Sequence, residues 1–146
     1  MTSTVSFQDE HKRLWIDDFG PFVFAKMSKL GTSQEMKNAN QKTIEAIKHQ
    51  VKKFKFVYFI LDTTETEELT TTSFIEYCNH CLADQFKAGL EYAAFLSPRN
   101  GSAATTLQAA VKSLPVRSAV GIHESFERAL HHTTRLWQDR MGRSVL

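Results

Sequence analysis

Apolar runs alternate along this chain with stretches whose apolar positions recur every three or four residues. Leu14-Trp15-Ile16 and Phe22-Val23-Phe24-Ala25-Lys26-Met27 are short apolar or aromatic runs. Asp17-Asp18-Phe19-Gly20-Pro21 lies between them with turn chemistry. The three segments predict a β-hairpin with a longer loop. Gly31 then breaks the chain, and Thr32-Ser33-Gln34-Glu35 has capping-box spacing. Met36, Ala39, Thr43, Ile44, Ile47, Val51 and Phe54 follow at helical spacing, opposite a face of Lys37, Lys42, Glu45, Lys48 and Lys52. That pattern predicts a helix over 33–53.

Phe56-Val57-Tyr58-Phe59-Ile60-Leu61 has no polar break. A run this rich in aromatic and β-branched residues predicts a strand covered on both faces, central and parallel, ended by Asp62. A Thr- and Glu-rich loop spans 63–70. Phe74, Tyr77, Cys78, Cys81, Leu82 and Phe86 then share one face of a second helix. Tyr92-Ala93-Ala94-Phe95-Leu96 reads as the next strand, and Ser97-Pro98-Arg99-Asn100-Gly101 as a turn with Ser102 as N-cap. A third helix carries Ala103, Leu107, Ala110, Val111 and Leu114 and ends at Pro115. Residues 116–122 form a weaker strand, and a last helix buries Phe126, Ala129, Leu130, Thr133 and Trp137. The start of the chain and residues 140–146 are expected to be loose.

The order β-β-α-β-α-β-α-β-α predicts an α/β fold. It has a mixed sheet of about five strands, with a leading antiparallel hairpin followed by β-α units, and four helices. In such sheets the working loops lie beyond the carboxyl ends of the strands. Here those are residues 27–32, 62–70, 97–102 and 121–124.

Composition narrows the class. The chain has 146 residues, 42% of them hydrophobic and 23% charged, the profile of one globular domain able to bury its own core. No run approaches the roughly 20 apolar residues a membrane helix needs, and the polar start lacks the features of a secretory signal. The expected location is the cytoplasm, with which two cysteines agree. A net charge of +2 is too mild to argue for nucleic acid.

Several candidate chemistries have plainer readings. Cys78-Asn79-His80-Cys81 has zinc-ligand spacing but lacks a second cysteine pair. Both cysteines lie on the apolar stripe and read as core, so no metal is expected. His123, His131 and His132 have no acid or nucleophile at a telling spacing. The glycine fingerprint and the phosphate-loop motif of nucleotide sites are both absent from the sequence, so no cofactor is expected. Asn100-Gly101-Ser102 with Arg99 could hold an anion at a helix start; the plainer reading is a turn and a cap. Lys48, Lys52, Lys53 and Lys55 precede the central strand, whereas Asp62, Glu65, Glu67 and Glu68 follow it. The carboxyl-end rim is therefore either an acidic surface that repels anions or one of two solvated patches.

From Phe56 onward the chain resembles a family. An apolar strand ends in Asp62, and Thr70-Thr71-Thr72-Ser73-Phe74 opens a helix. The chain closes with Ile122-His123-Glu124-Ser125-Phe126-Glu127-Arg128-Ala129-Leu130 and Trp137. This is similar to STAS/SpoIIAA-like domains, the anti-sigma-factor-antagonist fold, and to their SEC14-like bacterial branch, over residues 12–138 of a single domain spanning 1–146. In the antagonists a serine of an Asp-Ser-Ser-Gly loop is phosphorylated by a partner kinase. Thr71 and Thr72 match the serines, Thr70 stands in place of Asp, and Ser73 in place of Gly. The resemblance implies a non-catalytic regulatory or protein-binding module that acts through residues 62–74. Its partner would be a kinase or an anti-sigma-like factor. Thr71, Thr72 and Ser73 are the phosphorylation candidates; Asp62, Thr70, Arg99 and His123 form the binding rim. The alternative is a carrier or sensor of a small apolar or lipid-like ligand in a SEC14-like cavity, lined by Phe side chains of the first two helices and the central strand. Base rates for soluble domains add an isologous homodimer.

Overall fold

A computed structural model describes residues 3–66, 71–99, 101–114 and 119–145, with side chains at all of these except 71–73 and 143–145. Its strands are β1 (Ser3–Gln8), β2 (Lys12–Asp17), β3 (Phe22–Met27), β4 (Val57–Asp62), β5 (Leu90–Leu96) and β6 (Val120–His123). They form one sheet in sequence order: β1, β2 and β3 are antiparallel neighbours, and β3 to β6 run parallel. Among the described residues the sheet thus has six strands, one more than the sequence pattern predicted. The extra one is β1, in the stretch expected to be loose. Its residues are exposed except for Phe7, so it lacks the buried stripe that would mark it in sequence.

The helices are α1 (Ser33–Phe54), α2 (Thr71–Tyr77), α3 (Ala83–Lys87), α4 (Gly101–Lys112) and α5 (Phe126–Val145). One π-helical turn, Cys78–Leu82, joins α2 to α3 in a single rod, so four helical rods accompany the sheet. Thr32 and Glu35 close the predicted capping box at the start of α1: Glu35 N donates to Thr32 Oγ1 at 3.1 Å, and Thr32 N donates to Glu35 Oε1 at 2.9 Å. At the other end Lys55 takes φ 73° and ψ −47°, and Phe56 N donates to Phe54 O at 2.9 Å. That is a γ-turn in its rarer, strained form. The last helix runs to Val145, past the point where the sequence pattern weakens. Ser102 lies inside the first turn of α4 rather than at its cap.

Topology decides which face each helix covers. Every step from β3 to β6 moves to the next strand in the same direction. Right-handed crossovers therefore put α1, the α2–α3 rod and α4 on one face. Ala46, Ile47, Phe74, Leu82, Leu107 and Ala110 from those rods pack there with Val23, Phe59, Phe95 and Val120 from the sheet. The helix after β6 has no further strand to reach, and it takes the opposite face. There Ala129, Leu130 and Trp137 of α5 pack on Phe22, Tyr58, Ile60 and Ala94. Gln50 is fully buried in α1, and its Nε2 donates to the carbonyls of Asp17, Gly20 and Phe22 at 2.8, 3.0 and 3.1 Å. It ties α1 to the β2–β3 loop and to the strand ends that flank it.

Candidate functional site

Parallel strands β3 to β6 all end on one rim, and sheet register aligns what they present. Arg13, Lys26, Asp62, Leu96 and His123 are successive Cα partners across β2 to β6. Paired residues point to the same face, so this row faces the α5 side. Asp62 and His123, both expected at the rim, are two strands apart, about 10 Å at the usual strand spacing.

The loop after β4 is strapped to its neighbours. Asp62 Oδ1 accepts from Thr64 N at 2.8 Å and from Thr64 Oγ1 at 2.6 Å. Thr63, fully buried, donates its hydroxyl to the Leu96 carbonyl at the end of β5. Thr66, also fully buried, donates to the Met27 carbonyl at the end of β3 at 2.7 Å. Arg99 N donates to Thr64 O at 3.1 Å. Buried hydroxyls spent on strand-end carbonyls leave little freedom for the backbone between them. The loop is thus held before it reaches the start of α2 at Thr71. Thr70 lies outside the described residues, as do the side chains of Thr71, Thr72 and Ser73.

The charge at this rim differs from the sequence expectation. Lys26 Nζ pairs with Glu65 at 3.2 Å, and Arg13 lies in the same row. Two cations on β2 and β3 therefore accompany Asp62 and Glu65, and the described rim is mixed in sign rather than acidic. The signal was present: Lys26 is the one charge inside an otherwise apolar run.

His123 closes the other end of the row. Its Nε2 lies 3.1 Å from Tyr92 Oη, and its ring centroid is 5.1 Å from that of His132 on α5. Burial, and next the nearby His132, hold His123 below the ordinary histidine range, while burial pushes the Tyr92 phenol up to about 12. Gly121 makes room for this pair, because a Cβ there would stand 1.8 Å from Tyr92 Oη.

The remaining candidates lie elsewhere. Cys78 and Cys81 are buried in the π turn, and burial pushes their thiols up to about 12 and about 11. Thiols that stay protonated are poor nucleophiles and poor ligands. His80 is exposed. Among the described residues no three His, Cys, Asp or Glu side chains gather where they could hold a metal ion. The cavity beneath α1, beside Phe59 and Tyr77, measures about 30 Å³, room for about one water rather than a lipid. No helix among the described residues is long and apolar enough to cross a membrane.

Compared with family models, curated proteins and solved structures, the chain matches none.

Proposed function

We propose that this protein is a non-catalytic regulatory module with a STAS-like arrangement, which binds a protein partner through residues 62–74. The observation that carries this reading is the strapped loop. Thr63 and Thr66 tie the loop to the ends of β5 and β3, Arg99 N holds the Thr64 carbonyl, and Asp62 braces Thr64 within the loop. A surface ordered before binding costs less to order on binding. The helix that opens at Thr71, Thr72 and Ser73 is the next described element. A phosphate on one of these hydroxyls would add a charge of about −1.5 to −2 at the start of α2 and would change what can dock there. The alternation of strand and helix behind a leading antiparallel hairpin supports the STAS-like arrangement.

The test is the mass of the protein isolated from the cells that make it, intact and after peptide mapping. A phosphate-sized increment mapped to residues 71–73, and absent from a Thr71→Ala, Thr72→Ala, Ser73→Ala chain, is expected. A chain that carries no modification at these positions under any growth condition would contradict the switch.

A further inference from the structure

We propose that the groove between the first turn of α5 and strands β2 to β4 binds a small protonated amine with an apolar or aromatic body. Its walls are Trp15, Phe24, Ile60 and Phe126, and it holds about 250 Å³, the size of a fragment rather than of a large cofactor. The rings of Phe24 and Phe126 lie 5.4 Å apart and form one continuous aromatic wall.

Asp62 stands at the mouth of this groove with Lys26. Both hydrogen bonds from Thr64 go to Asp62 Oδ1, and among the described residues no donor or cation takes Oδ2. Neither cation of the row forms an ion pair with Asp62. Lys26 turns to Glu65 at 3.2 Å, and Arg13 lies over the Trp15 ring at 4.8 Å. The groove therefore ends in a carboxylate oxygen with spare acceptor capacity, beside aromatic faces.

That combination selects for positive charge on an apolar stem. An ammonium group supplies charge-assisted hydrogen bonds to Oδ2, and an aromatic ring attracts a cation over its face, as Arg13 already does on Trp15. An anionic ligand would meet Asp62 and Glu65, and a neutral one would leave Oδ2 unanswered in a part-buried place. The oxygen involved is not the one that holds the loop. The site therefore goes beyond the partner-binding reading and stands without it.

The test titrates the protein with 2-phenylethylamine, and separately with phenylacetate and 2-phenylethanol, while NMR follows the Trp15 indole N–H. The amine should shift this signal saturably, with the acid and the alcohol weaker by about tenfold or more. Asp62→Asn keeps an Oδ1 acceptor for Thr64 and should also weaken the amine about tenfold, with the Thr64 amide signal unmoved. Phe126→Ala, at a side chain 40% exposed, should weaken it severalfold without unfolding the chain. Equal binding of the three compounds, an amine response that survives Asp62→Asn, or no response at millimolar amine would each overturn the proposal.

Discussion

On one face of the sheet three helical rods lie side by side over Val23, Phe59 and Phe95, none of which is more than 1% exposed. On the other face α5 works alone. It covers Phe22, Tyr58 and Ala94, but leaves Trp15 half-buried and Phe126 40% exposed. The difference follows from topology: right-handed steps in one direction send every crossover helix to the same side. The crowded face is where burial stabilises the fold. The sparsely covered face and the carboxyl-end rim are where side chains remain free to meet something else.

Substitutions of matched chemistry on the two faces should separate them most strongly. Phe95→Ala removes a fully buried ring from the crowded side and should cost about 3–5 kcal/mol. Phe126→Ala removes a partly covered ring from the open side and should cost only about 1–2 kcal/mol. Urea unfolding of both variants measures this. Similar costs would break the comparison.

Acidification should weaken the α5 side selectively. His123 has a folded pKa depressed below the 6.5 of a free histidine. Between the two values the unfolded chain binds more protons than the folded one. Stability is therefore fully present above 6.5, falls as pH drops below it, and levels off under the folded value. Protonating His123 also sets a cation beside His132 and removes the lone pair that can accept from Tyr92 Oη. Melting temperature against pH should show this decline in the parent chain and a smaller one in His123→Gln. Identical profiles would remove His123 from the account.

The smallest expected effect lies at the far end of the sheet. Lys55 holds a positive φ that glycine adopts without strain. Lys55→Gly should therefore stabilise the chain by about 0.5–1 kcal/mol, less what is lost when Lys55 leaves the Phe56 ring. Thermal denaturation reads the difference.

How much of this was legible in the sequence depended on whether a signal was local. The capping box of Thr32 and Glu35 and the doubly covered strand through Phe59 are written in adjacent residues, and both appear where expected. β1 was missed because an exposed edge strand carries no apolar stripe. The π turn was missed because Cys78 and Cys81, three apart, suit an α-helix equally well. At the rim, Asp62 was legible as the acid that ends an apolar run. Its relation to Lys26 and Arg13 was not, because register between strands far apart in sequence is set by the folded sheet. Thr63 and Thr66 read as loop polarity, and only their depth reveals them as straps. Phe126 was assigned to the buried face of its helix, but the first turn of α5 overhangs the groove and leaves it partly exposed.

The claim that the rim is the working side can be tested in the cells that make the protein, by placing a photo-crosslinking residue at one position at a time. Glu65 and Arg99 are exposed on the rim; Lys112 is exposed at the end of α4, on the crowded side. The account predicts one discrete adduct from positions 65 and 99, and none from 112. Adducts from 112 alone, or equally from all three, would contradict it.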